Sequence, residues 1–253
     1  MEGPTELWRW QNGTTENDYF QVMTTGADGS TYLGGYTYGN WSGVNAGLSD
    51  FAVVKLDANG TAVWCWQEGT TEYDRLTAMT ADSDGSIYLG GYTFGNWSGA
   101  NAGLSDFAVV KLDANGTAVW RWQEGTSTND YFYAMTTGVN GSIYLGGFTS
   151  GNWGGVNAGL VDFAAVKLDK DGTAVWRWQG GTSDLDIFRA VTTGTDGSIY
   201  LGGYTKGDWS GVNSGLSDFA AVKLDADGMA VWRWQAHMGP SSSGATPVET
   251  GVG

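Results

Sequence analysis

The tetrad Trp-x-Trp-Gln recurs at Trp8, Trp64, Trp120, Trp176 and Trp232, each copy 56 residues after the last with no insertion or deletion. A fixed period of that length makes the chain an array of supersecondary units, each hiding its apolar faces only by stacking on its neighbours. The register divides into units 12–67, 68–123, 124–179 and 180–235, together an array spanning 1–235. A fifth copy of the tetrad stands alone at 7–11, and a Gly/Ser/Pro-rich tail, 236–253, is expected to be flexible.

Within the second unit, 76–80 reads as a short strand, Asp82-Ser83-Asp84-Gly85 as a turn and 86–93 (SIYLGGYT) as the next strand. A long loop, 95–106 (GNWSGANAGLSD), leads to a strand at 107–112 (FAVVKL), the turn Asp113-Ala114-Asn115-Gly116 and a last strand at 117–123. Asn-Gly and Asp-Gly between β-branched and aromatic runs are strong hairpin signals, because those residues tolerate the positive φ of tight turns. Four antiparallel strands per unit follow. No stretch has a 3.6-residue apolar period, and runs such as Phe107-Ala108-Val109-Val110 are apolar on both alternating faces. Sheets buried on both sides and repeated in sequence predict an all-β fold, a β-propeller of four 56-residue, four-stranded antiparallel blades.

The run Asp84 to Thr93, then Ser105 to Asp113, then Asn115-Gly116 resembles a bacterial β-propeller repeat family, the one named for seven-bladed propellers. The resemblance covers 12–235. It implies the fold, an extracellular or cell-surface setting, and no assigned chemistry. The aromatic Trp-x-Trp-Gln strand, the Trp-containing loop and four units instead of seven depart from that pattern. The run Leu168 to Trp176 is similar to the tryptophan-docking repeat of quinoprotein propellers. That similarity implies that Trp64, Trp120 and Trp176 lock adjacent blades together.

Five tetrad strands serve four sets of the other three. A closed four-blade ring has room for either 7–11 or 230–235 as the outer strand of its last blade. The leading expectation is a closed ring with one copy displaced. The alternatives are closure by strand exchange between molecules, giving a homo-oligomer, or a segment of a longer array.

With 27 acidic against 12 basic residues the net charge is −15, which argues against nucleic acid or anionic lipid as a partner. No run reaches the length of a membrane span, so no membrane insertion is expected, and 1–6 does not read as a secretory signal. Six N-x-S/T sequons, at Asn12, Asn40, Asn59, Asn96, Asn115 and Asn140, are a weak sign of export in so Asn-, Ser- and Thr-rich a repeat. Cys65, the single cysteine, stands where the other copies carry arginine and reads as drift.

His237 is the single histidine, so no Ser/His/Asp or Cys/His site can be assembled; no catalytic residue, metal ligand or cofactor is assigned, and no enzyme activity is expected. Carboxylate-dependent glycoside chemistry is the minor alternative, disfavoured because acids in equivalent repeat positions lack the unlike surroundings that separate acid from base. Asp57, Asp113, Asp169 and Asp225 open hairpin turns. Asp18, Asp74, Asp130 and Asp186, with Asp50, Asp106, Asp162 and Asp218, precede strands as turn caps; an oxygen-lined calcium site near the axis is the alternative.

The long loop and the connection between blades emerge on one face of a propeller. It would display Trp41, Trp97, Trp153 and Trp209 with Asn45, Asn101, Asn157 and Asn213 four residues on. A flat indole beside an amide suits a sugar ring. The bland alternative has each Trp plugging a gap between blades and each Asn holding its loop. The function expected is a non-catalytic recognition or scaffold module, multivalent for glycans or surface proteins, with a purely structural spacer as the alternative.

Overall fold

The computed structural model describes residues 3, 5–138, 140–213 and 215–236, and the backbone of Val248–Glu249. Four antiparallel sheets follow one another along the chain, each with its strands in sequence order. The first holds β1 (Asp18–Thr25), β2 (Thr31–Thr37), β3 (Asp50–Leu56) and β4 (Ala62–Glu68); the second β5 (Asp74–Ala81), β6 (Ile87–Thr93), β7 (Asp106–Leu112) and β8 (Ala118–Glu124). The third holds β9 (Asp130–Thr137), β10 (Ile143–Thr149), β11 (Asp162–Leu168) and β12 (Ala174–Gly180); the fourth β13 (Asp186–Thr193), β14 (Ile199–Thr205), β15 (Asp218–Leu224) and β16 (Ala230–Gln235). Val248–Glu249 adds a short β17 beside Trp232 and Arg233, so part of the expected flexible tail is paired. The rest of that tail, including His237, lies outside the described residues.

The units are propeller blades. The turns are built as their residues demand: Gly60, Gly116, Gly172 and Gly228 have φ of 79–86°, and Asp57 Oδ1 accepts from the amides of Asn59 and Thr61 at 2.9 and 2.8 Å. Asp57 and its equivalents are therefore turn caps.

Three apolar cores lie between consecutive sheets. In each, one blade presents a Phe and two Trp (Phe107, Trp120 and Trp122 in the second) to the next blade's Leu, Ile, Val and Ala side chains, such as Leu145 and Val166. Phe107 stacks on Phe132 with ring centroids 3.9 Å apart, and Phe163 on Phe188 at 4.1 Å. The first Trp of each tetrad docks on the following blade: a methyl on Gly116, Gly172 or Gly228 would fall 2.7 Å from the indole of Trp64, Trp120 or Trp176. These indoles donate to the carbonyls of Ala114, Lys170 and Ala226 at 3.0–3.2 Å. Arg121 pairs with Glu68, and Arg177 with Glu124, across the same junctions. Cys65 falls where such an arginine would face Asn12 in place of a glutamate, so nothing ionic is lost there.

The ring does not close. Closure of four blades is corrected by the fourth sheet, whose Phe219 is 70% exposed while Phe51, Phe107 and Phe163 are 0% exposed. The first and fourth sheets form no junction like the other three. Nor does 7–11 form a strand. It lies on the first blade, with Trp8 against Gly60 as the docking indoles lie on theirs, and Trp10 against Phe20 and Trp41.

Candidate functional site on the loop-bearing face

The last residue of the tetrad fixes the long loop. Gln67 donates to the Gly39 carbonyl and Asp50 Oδ2 at 2.9 and 3.1 Å, and its own oxygen accepts from the amides of Trp41 and Ser42. Gln123, Gln179 and Gln235 repeat this clamp at Trp97, Trp153 and Trp209. Four loops are thereby held alike on one face.

The clamp turns the indoles inward. Trp97 meets Phe51 of the preceding blade edge-on at 4.7 Å and donates to Glu68 at 2.9 Å. Trp153 packs on Phe107 and Phe132, Trp209 on Phe163 and Trp178, and Trp41 on Phe20 and Trp10. Each indole is engaged by protein rings; Trp41, Trp97 and Trp153 are half-buried and Trp209 is buried. The carbonyl oxygens of Asn45, Asn101, Asn157 and Asn213 accept from the amides of Gly47, Gly103, Gly159 and Gly215 at 2.7–2.8 Å, so these side chains shape the loop. The large apolar side chains that the loops expose are aliphatic: Val44, Val156 and Val212, with Leu48, Leu104, Leu160 and Leu216.

Behind the loops the strand-capping aspartates meet in pairs across the blade junctions. A methyl on Gly69 would lie 2.4 Å from Asp50 Oδ1 and 2.6 Å from Asp74 Oδ2; Gly125 stands likewise between Asp106 and Asp130, and Gly181 between Asp162 and Asp186. These carboxyls are buried, which raises their pKa values; burial outweighs the bonds from Thr70 and Thr126 and takes Asp74 and Asp130 up to about 6. Their bonds go to the amides of Ala46, Thr70, Thr126 and Thr182, as the turn-cap reading has it. The inner strands line the axial groove with Val22, Met23, Met79, Met135 and Val191. Among the described residues no three His, Cys, Asp or Glu side chains gather as a metal site.

One constellation escaped the sequence reading. Every inner strand carries a bulge, the extra residue being Gln21, Thr77, Tyr133 and Arg189 in turn. The second glycine of each Gly-Gly pair makes room for it: a methyl on Gly35, Gly91, Gly147 or Gly203 would sit 1.7–2.0 Å from a carbonyl oxygen of the bulged strand. A bulge re-aims a side chain out of the ladder. Thr77 and Tyr133 line the axial groove, and the Arg189 guanidinium lies 3.9 Å from the Tyr133 ring centre. At the same end Arg75 lies over Tyr36 and Tyr73 and donates to the Tyr38 hydroxyl at 3.0 Å, and Tyr92 meets Tyr131 at 4.2 Å. Among the described residues neither Arg75 nor Arg189 pairs with a carboxylate. The signal was available as the one inner-strand position where all four copies differ.

One family profile agrees with the architecture. Residues 83–118 match a family profile described as "Domain of unknown function (DUF5122) beta-propeller". Over 140 residues the chain is 29% identical to "Regulatory protein FlaEY" of Caulobacter vibrioides, covering 49% of this chain and 15% of that protein's length. Among solved structures, the Neurospora crassa Pan2 WD40 domain matches 85% of this chain and 72% of its own at 12% identity and a TM-score of 0.46. A eukaryotic initiation factor matches 85% of this chain and 54% of its own at 7% identity and a TM-score of 0.38.

Proposed function

We propose that this chain is a non-catalytic recognition module that binds a protein surface through its loop-bearing face. The observation that carries the reading is the set of four bulge residues: within the inner strand they alone differ in every blade, and Thr77 and Tyr133 line the axial groove with Arg189 over the Tyr133 ring. A merely architectural repeat has no use for that asymmetry. Tyr and Arg, the side chains gathered there, are enriched where protein interfaces concentrate their binding energy. The exposed leucines of all four loops, with the valines of three, add apolar contact around them. A glycan is the weaker reading, because the loop indoles that would stack on sugar rings are engaged between blades. Carboxylate catalysis has little support as well: the aspartates with raised pKa values have no exposed surface with which to touch a substrate. The word "regulatory" in the name of the Caulobacter relative is in keeping with binding.

A structural spacer is the second reading, favoured by the docked tryptophans and the Glu–Arg pairs that stiffen the array. Site-specific photo-crosslinking separates the two. With the crosslinker at position 133 or 156 a protein partner is captured, and Arg189→Ala abolishes capture while a probe at Lys170 stays silent. Equal capture from every position would favour the spacer, and a glycan-array signal removed by Trp97→Ala would restore the sugar.

A further inference from the structure

The fourth blade keeps the phenylalanine, the glycines and the Trp-x-Trp pair with which the other blades receive a successor, and among the described residues nothing packs against them. A methyl on Gly34, Gly90 or Gly146 would strike a side chain of the next blade within 2.8 Å, whereas one on Gly202 meets nothing within 4 Å. A methyl on Gly47, Gly103 or Gly159 would fall 2.2–2.3 Å from the backbone of Thr71, Ser127 or Ser183, but one on Gly215 again meets nothing within 4 Å. Phe219 is the exposed counterpart of three buried phenylalanines.

The first blade offers the matching half. Phe20 occupies the position of Leu76, Phe132 and Phe188, which are buried against the preceding blade, yet it is 41% exposed. Gly13 has only Asp18 beside it, where Gly69, Gly125 and Gly181 each stand between two aspartates. These two surfaces are the halves of a junction the molecule has already built three times, with the same residues in the same places.

We propose that the occupant is a second copy of this chain, joined head to tail at both ends so that two four-bladed arcs close as one eight-bladed ring. Phe219 of each molecule stacks on Phe20 of the other, as Phe107 stacks on Phe132. A heterologous contact closes into a ring when the rotation returns on itself, and two equal arcs do this with two-fold symmetry. The segment 7–11 gives the junction a built-in competitor. Its sequence, LWRWQ, differs from 231–235, VWRWQ, at one residue. Trp8 already occupies, on Gly60, the seat an incoming Trp232 would take. Docking therefore requires the segment to yield, and the free chain masks its own receiving face.

Sedimentation velocity on the full chain, from micromolar to high micromolar concentration, tests this with two variants at exposed positions. Wild type is expected to show a reversible monomer–dimer equilibrium. Trp8→Ala with Trp10→Ala, which empties the seat, should tighten it by about tenfold or more. Phe219→Glu, at a side chain that no neighbour covers, should abolish it while leaving the circular dichroism and melting of the monomer unchanged. A Cys65→Ser background carrying Phe20→Cys and Phe219→Cys should oxidise to a covalent dimer. A disulfide formed at monomer mass would show that the chain closes on itself and would overturn the proposal. So would a Trp8/Trp10 variant that stays monomeric throughout, or a dimer indifferent to Phe219→Glu.

Discussion

The junction between the third and fourth blades and the bare far side of the fourth are made from the same sequence, and only one of them is a core. Phe163 and Phe219 both stand at the second position of a strand reading DFAAVKL, yet Phe163 stacks on Phe188 and Phe219 faces solvent. The lesson is that burial in this molecule belongs to the pair of blades, since a blade's own sequence cannot say whether its partner is present.

That contrast can be broken most forcefully at the phenylalanines. Phe163→Ala should cost about 3–5 kcal/mol in denaturant unfolding and Phe219→Ala less than about 1 kcal/mol, because only the first leaves a cavity. Equal losses would mean that the outer face is covered in solution. Glycines give the next largest separation. Gly103→Ala drives a methyl into the backbone of Ser127 and should cost on the order of 2–3 kcal/mol, while Gly215→Ala should stay within about 0.5 kcal/mol of wild type.

The buried aspartates sharpen the comparison through pH. Asp74 and Asp130 have pKa values raised from 3.8 to about 6. The folded chain therefore holds protons there that the unfolded chain has released, and stability should fall as pH rises from about 4 to 6, by on the order of 2 kcal/mol per site. Asp74→Asn should flatten its share of that slope; a melting temperature that climbs across the window would refute the assignment. Smallest of all, Arg177→Met, which unpairs Glu124 on a part-exposed surface, should cost about 0.5–1 kcal/mol and lose its effect in high salt.

Much of this was legible before any coordinates. A period without insertions fixes four equal units, and Asp-x-Asn/Asp-Gly turns between two-faced apolar runs fix the hairpins, because both signals are local. Closure was not legible: the residues of Phe219 and Gly202 are the same whether or not another blade lies against them. The loop tryptophans were found with two directions open, toward a ligand or into the gaps between blades, and the choice depends on Gln67 and its equivalents reaching back 26 residues to the Trp amides. The bulge residues were missed for a different reason. A search for what recurs passes over Gln21, Thr77, Tyr133 and Arg189, which stand out only as the places where recurrence fails.

The bulges also have a consequence for how such a protein changes over generations. The extra residue is the one member of its strand that pairs with no partner across the sheet. Mutation there leaves the ladder register alone and touches the neighbouring blade only through side chains, as Thr77 does at the Phe132 carbonyl and Arg189 at the Tyr133 ring. A lineage can therefore duplicate the unit first and individualise each copy afterwards, trying new chemistry at the centre of the assembly while the strand pairing stays the same.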